Sequence, residues 1–491
     1  MMHFSFETNE RADWSLFSNG NQDAEGIQQD HPSSTEYLIL QHTASYCSAA
    51  SRTIEKLENG YYTLTALTQN SGGQQTCYIF AEAVTGETRI TSLPVSSEWI
   101  PVIIRGIEVR DGKCTIGLYT EGNGGNWCKV KSFELVKSDE SYELLKGGDI
   151  SEMPRIEENG GIYKDNHEPM DGLEILKAYG HNIVRIRLYN DPGNKDYWPS
   201  NQLDARGYQN EERTLALVKR AKDMGFQIQF SFHYSDYWTN GLAQHKHHNW
   251  EGLSFAELRE ALYQYTRAFM TRLVEQGTAP EYVSLGNEIQ GGMCYPDGAI
   301  ANWPQLAELL KAGYQAVKEV SETSKVVIHL DGATEDEKYE QFFGNCERYG
   351  VPYDIIGPSY YPFWTQASVQ QLVAFCNKLV ARFDKDILLM EAGFNWSAVT
   401  GAGMRGQLEN NGPEPYESTP EGQRDFMYSL MNGIKQVDGG RCLGVLYWDP
   451  VMIYVPGVGW QKDAPNVVDN TTLFDFEGNA LPSMLAYKYN N

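Results

Sequence analysis

Two glutamates carry the strongest chemical signal in the chain. Glu288 follows the run 282–287 (YVSLGN) and Glu391 follows the run 387–390 (ILLM), both short and apolar enough to be buried strands. A carboxyl group there is costly unless it is hydrogen-bonded or reactive. Paired across a cleft, two such groups suit cleavage of a glycosidic bond, one protonating the leaving oxygen while the other attacks carbon. The acid must hold its proton near neutrality, which calls for burial or a negative neighbour. Taken singly, either glutamate could belong to a structural ion pair, Glu288 more readily than Glu391.

The elements that must position them alternate regularly. Strand-like runs near 145–150, 183–188, 227–232, 282–288, 326–330, 355–360, 387–391 and 443–448 are separated by helical stretches. The helices show their period in stripes such as Val369, Leu372, Val373, Cys376, Leu379, Val380 and Phe383. Eight βα units predict a closed (β/α)8 TIM barrel, whose C-terminal rim receives both carboxylates. Irregular stretches from Gly401 to Ser418 and from Val451 to Asn470 are long enough to arch over that rim.

Other strand ends deliver groups suited to a sugar. Arg185 and Arg187 share one face of their strand, and Arg187, nearer the rim, is expected to orient the nucleophilic glutamate. His233 and Asp236 are expected to bind hydroxyls, as is Asn287 beside Glu288. Trp238, Trp364 and Trp448 are expected to stack on sugar faces, with His329 and Tyr360 at neighbouring strand ends. A lone histidine is more often structural than catalytic. Polar and aromatic groups at six rim positions together point to a carbohydrate cleft.

Residues 1–138 read differently. Alternating runs at 61–67, 76–81, 99–104, 114–119 and 130–136, with Gly- and Asn-rich breaks, predict an antiparallel β-sandwich. The expected division is therefore a sandwich over 1–138 and a barrel over 139–491.

Composition narrows the partners. A net charge of −25 leaves no basic patch for nucleic acid and favours a neutral polysaccharide or oligosaccharide over an acidic one. No apolar run is long enough to span a membrane, and the amino terminus lacks the basic and apolar regions of a secretory leader. Eight scattered cysteines form neither CxxC pairs nor an evident disulfide framework. These features predict a cytoplasmic protein, or a secreted one if a leader has been removed. No metal or other cofactor is expected.

The segment from about 145 to 489 resembles glycoside hydrolase family 53, the endo-β-1,4-galactanases of clan A. The resemblance rests on 184–187 (VRIR) with 190–192 (NDP), on 232–238 (FHYSDYW), and on 286–288 (GNE). It continues through 360–364 (YYPFW), 447–448 (YW) and 473–476 (LFDF), in order across the chain. It implies a retaining endo-hydrolase of β-1,4-galactan with Glu288 as acid/base and Glu391 as nucleophile. The clan's strand-2 arginine maps onto Arg187, its strand-5 histidine onto His329 and its strand-8 tryptophan onto Trp448. Some members carry a calcium loop after strand 7. Here 401–411 contains no aspartate, so calcium is not expected. The amino-terminal segment resembles jelly-roll carbohydrate-binding modules, with Trp99 and Trp127 available for stacking; the alternative is a structural domain that shapes one end of the cleft. Another clan A specificity, such as a mannanase or xylanase, and a non-catalytic sugar-binding protein are the rival readings.

Overall fold

The computed structural model describes residues 1–6, 11–18, 26–28, 36–84, 87–138, 141–192, 207–408, 412–459 and 465–490. Eight parallel strands close into a barrel: β1 (Leu145–Asp149), β2 (Ile183–Leu188), β3 (Gln227–Phe232), β4 (Tyr282–Leu285), β5 (Lys325–Leu330), β6 (Ile355–Tyr360), β7 (Asp386–Ala392) and β8 (Cys442–Tyr447). Closure is made by β8 against β1, with Leu145 opposite Gly444 and Gly148 opposite Tyr447. Every residue of β1, β2 and β6 is buried, as strands covered on both faces require. Gly147 meets a tight spot there, since a Cβ would lie 1.7 Å from the Ile183 carbonyl oxygen.

Helices return the chain between strands. Phe255–Glu275 begins with a capping box in which Ser254 and Glu257 satisfy each other's backbone N–H groups. Val369–Phe383 starts the same way, from Ser368 and Gln371, and buries Leu372, Phe375, Cys376 and Leu379. Two inner strand positions, Ser231 and Ser284, hydrogen-bond at 2.9 Å, so part of the barrel interior is small and polar. That leaves space for the two arginines of β2.

The amino-terminal part is a two-sheet antiparallel sandwich. One sheet runs Gly26–Gln28, Tyr37–Gln41, Trp127–Ser138, Gly60–Asn70, Ser96–Val109, with Met2–Ser5 also paired to Trp127–Ser138. The other runs Ser15–Ser18, Tyr46–Glu55, Lys113–Gly122, Thr76–Val84, Glu87–Ser92. Taking the eight strands from Tyr37 to Ser138 in chain order, the sheets read 1-8-3-6 and 2-7-4-5, the order of a jelly roll. Leu64, Val102, Ile104, Ile116, Leu118 and Phe133 fill the space between them.

The chain divides into two units at a place slightly different from the expected one. The first is Met1–Leu144 with Arg424–Gly440 and Leu485–Asn491; the second is Leu145–Gln423 with Arg441–Met484. The late segments join the first unit through hydrogen bonds such as Asn432 Nδ2 to the Pro101 carbonyl at 2.9 Å and Arg105 Nε to the Lys435 carbonyl at 2.7 Å. A change of texture along a sequence marks linkers and is blind to such distant pairings. Residues 139–140 at the expected break, and 409–411 and 460–464 in the two irregular stretches, lie outside the described residues. All eight cysteines are unbridged, and no described helix is long and apolar enough to cross a membrane.

Candidate active site

The chain leaves β4 through an unusual bend. Gly286 has φ +86° and Glu288 has φ +48°, both in the left-handed region that a side-chain-bearing residue adopts only at some cost. The bend carries Glu288 beyond the strand end and into a cleft of about 720 Å³ at the C-terminal rim. Glu391, still within β7, reaches the same cleft, and the two carboxylates approach with ligand oxygens within 4.8 Å of each other and of a His329 ring nitrogen. Trp238, Trp364 and Trp448 line it too.

The two carboxylates have opposite surroundings. Glu391 is 3% exposed and takes an N–H from Arg185 Nη1 at 2.6 Å and the Tyr361 hydroxyl at 2.9 Å. A guanidinium and a phenol together fix the Glu391 carboxylate through short, charge-assisted hydrogen bonds. Among the described residues Glu288 meets no cation directly: its Oε1 accepts the Ser359 hydroxyl at 2.9 Å. Burial first, then the charges of Glu391 and Asp331, push the Glu288 carboxyl up to about 8 from an ordinary 4.5. Glu288 is thus held protonated at neutrality.

Arg185 does the orienting, and the assignment to Arg187 is corrected. Besides Glu391, Arg185 donates from Nη2 to Asn287 Oδ1 at 2.6 Å and from Nε to Ser231 Oγ at 3.2 Å. Arg187 instead faces Asp149 at 3.1 Å and Glu152 at 3.3 Å. Its guanidinium lies 4.7 Å from the Trp448 ring centroid and 5.2 Å from that of Trp238, whose rings are 5.0 Å apart. Arg187 therefore backs the aromatic platform. Staggering of strands in a closed barrel explains the error, because height along one strand does not give height along another.

Two further expectations change. Tyr360 is fully buried and its hydroxyl donates to the Ala367 carbonyl at 2.8 Å; the next residue, Tyr361, is the one on Glu391. Strand alternation sets this, since Ser359 faces the cleft and Tyr360 must face away. Asp236 does not reach the cleft either. Its carboxylate is taken by His247 Nδ1, by His248 Nδ1 at 3.0 Å and by the His248 backbone N–H at 2.9 Å.

The remaining expected residues lie beside the cleft. Asn287 gives its oxygen to Arg185 and one amide hydrogen to the Thr239 carbonyl at 2.7 Å. His329 Nε2 lies 2.8 Å from Ser359 Oγ, so an N–H there leaves the serine hydrogen for Glu288. Burial and the charge of Arg185 hold His329 well below the usual histidine range, and it is neutral. His233 is likewise depressed, by burial and then by Arg187 and Arg185. It accepts the Thr239 N–H on Nδ1 at 3.2 Å, which leaves Nε2 protonated and without a protein partner among the described residues.

The profile of glycosyl hydrolase family 53 matches residues 145–487. The chain belongs to that family. It is 28% identical over 392 residues to the endo-β-1,4-galactanase of Bacillus subtilis (strain 168), covering 73% of this chain and 88% of that one. Among solved structures, the family 53 catalytic domain of Ignisphaera aggregans superposes with a TM-score of 0.66 at 35% identity, over 71% of this chain and 96% of that one. A structure from a study of two fungal β-1,4-galactanases gives 0.60 at 28% identity, over 70% and 98%. As a family 53 member the chain is a glycoside hydrolase, and its substrate is a polysaccharide.

Several members of this family 53 site were not singled out from sequence. Tyr361 lies within the 360–364 run, and parity along β6 separates it from Tyr360. Ser359 and Asp331, one on Glu288 and the other adding negative charge near it, carry no spacing signal of their own.

Proposed function

We propose that this enzyme cleaves β-1,4-galactan internally by double displacement, with net retention at the anomeric carbon. The relatives of known activity are galactanases by name, which supports the choice of galactan. The observation that carries the mechanism is the close approach of two carboxyl groups across one cleft, with Glu288 raised by burial and by the charge of Glu391. Retaining enzymes hold these groups about 5–5.5 Å apart and inverting ones about 6.5–9.5 Å, leaving room for water.

In the first step the Glu391 carboxylate attacks the anomeric carbon, and the bond to the bridging oxygen breaks. Glu288 gives its proton to that oxygen, so the leaving chain departs as a neutral alcohol. As the covalent ester forms, the Glu391 charge disappears and with it a main cause of the raised Glu288 pKa. Glu288, now ionised, accepts a proton from water, which attacks the same carbon and releases Glu391. Arg185 and Tyr361 hold the nucleophile in place, while Ser359, backed by His329, fixes the acid. The Nε2–H of His233, beside Trp238 at 5.2 Å between ring centroids, supplies a hydrogen bond to a sugar hydroxyl.

The amino-terminal sandwich acts in this reading as a carbohydrate-binding module. Trp99 and Trp127 are partly exposed, with Tyr37 edge-on to Trp99 at 5.8 Å and Lys129 4.8 Å from the Tyr37 ring and 5.0 Å from that of Trp127. Trp99→Ala and Trp127→Ala in the full chain should weaken retention in galactan-containing gels and leave hydrolysis of short substrates unchanged.

The deciding experiment follows the anomeric proton of the first product by NMR, with reducing-end release measured on galactan, mannan and xylan in parallel. The expected outcome is a β-anomer that later mutarotates, formed fastest from galactan. An α-anomer first, or faster release from mannan or xylan, contradicts the reading.

A further inference from the structure

A second cluster lies on the loop after β3, outside the catalytic pair. Asp236, His247 and His248 bring two imidazole nitrogens and a carboxylate oxygen within 4.8 Å of one another. The Asp236 side chain is 2% exposed, while those of His247 and His248 are 12% and 10% exposed, so one side remains open to solvent. Among the described residues neither a lysine nor an arginine meets the Asp236 carboxylate; its partners are the two rings and the His248 N–H. A carboxylate this deeply placed is ordinarily balanced by a positive charge.

We propose that Asp236, His247 and His248 form a binding site for a divalent transition-metal ion of the zinc type. Two imidazoles and one carboxylate are a donor set such ions prefer, with water in the remaining position. Calcium is disfavoured, since it requires six or more oxygen ligands. The surroundings also fit. Asn249 places its amide 3.2 Å from His247 Nε2, and half a turn of that amide lets its oxygen accept the ring N–H. Metal-bound imidazoles commonly use such an outer hydrogen bond.

The site has a structural consequence. Asp236 stands at the start of the loop and His247 and His248 at its end, while Trp238, Asn240, Gly241 and Leu242 between them line the cleft. An ion held by all three closes the base of this loop and fixes the wall that carries Trp238. The ion takes no part in bond cleavage.

The test titrates metal-stripped full-length protein with Zn²⁺ by calorimetry, repeats it with Co²⁺ by visible absorption, and records thermal unfolding with and without Zn²⁺. The expected results are one equivalent bound, a Co²⁺ spectrum typical of nitrogen and oxygen ligands, and a higher melting temperature with the ion. His247→Gln and His248→Gln should each weaken binding at least about 100-fold, and Asn249→Ala about 10-fold. Circular dichroism checks that these variants are folded; the part-exposed His247 and Asn249 are the changes the fold tolerates best. Because Glu288, His329 and Glu391 also converge, Glu391→Gln is the necessary counterpart. Binding that survives His247→Gln and vanishes in Glu391→Gln puts the ion in the cleft and overturns the proposal. So does the absence of stoichiometric binding.

Discussion

Arg185 Nη1 lies 2.6 Å from Glu391 Oε1, and its other terminal nitrogen lies 2.6 Å from Asn287 Oδ1. One planar fork thus ties Glu391 on β7 to Asn287, the residue before Glu288 at the end of β4. Lysine carries its charge on a single nitrogen and cannot span both. Arg185→Lys is therefore expected to lower kcat roughly 100-fold, the cost of a small misplacement at a reacting centre, with KM nearly unchanged. Arg187→Lys should do the reverse, raising KM about fivefold through loss of the flat stack behind Trp448 and Trp238. Steady-state kinetics on galactan separates the two. A kcat loss from Arg187→Lys larger than that from Arg185→Lys would reinstate Arg187 as the orienting residue.

The raised Glu288 carboxyl gives a pH dependence with a definite sign. At about 8, it keeps the acid protonated through neutrality, and kcat/KM should fall as pH rises through that value. Asp331→Asn removes one of the charges behind the shift and should move this alkaline limb to lower pH. Stability follows the same proton. The folded state holds it between pH 4.5 and about 8 while the unfolded chain does not, so this contribution is complete below 4.5 and lost by about 8. Glu288→Gln has no charge to bury and should gain on wild type across that window. The gain is roughly 1–3 kcal/mol once water in the cleft is allowed for. Thermal melts of both proteins at pH 5 and pH 9 check it; a gap that does not widen contradicts the assignment.

Chemical rescue distinguishes the two carboxyl groups. Glu288→Ala should lose about 10²–10⁴-fold on polymer and far less on an aryl galactoside whose leaving group needs no proton. Azide then enters from the face that water used and yields a β-galactosyl azide. Glu391→Ala has no nucleophile on the opposite face, so azide there yields the α-product. Product stereochemistry by NMR reads the outcome, and exchanged anomers between the variants would exchange the roles.

Much of the barrel was legible because its signals are local. The strands 183–188, 227–232 and 355–360 lie where runs of β-branched and aromatic residues place them, and the eightfold alternation implies closure. What failed to be legible depends on relations between elements. Arg185 and Arg187 share a face, and only the stagger between strands decides which meets Glu391. Tyr360 and Tyr361 are adjacent, and parity at one strand end sends them to opposite sides. Asp236 sits in a motif with Trp238, yet its partners are histidines on the far side of a loop. Glu288 enters the cleft through left-handed backbone that no residue pattern announces. The late segments Arg424–Gly440 and Leu485–Asn491 belong with the sandwich for reasons equally invisible to composition.

Trp364 offers the cleanest test of the stacking platform. It is 49% exposed at the cleft, against 6% for Trp448, so removing it disturbs packing least. Its ring meets Tyr361 edge-on at 4.8 Å, and Tyr361 in turn holds Glu391 at 2.9 Å. Trp364→Ala is expected to raise KM for galactan about fivefold, equivalent to roughly 1 kcal/mol of lost aromatic contact. The change in kcat should stay under about threefold, because the Tyr361 hydroxyl remains anchored by Glu391 even without its neighbour. Trp364→Phe, which keeps a ring over the same surface, should recover most of the loss. Kinetics on polymer and on a short aryl substrate, run for both variants, resolves the alternatives. An equal kcat loss in both would mean that Trp364 acts by positioning Tyr361, and a loss confined to KM means that it binds sugar.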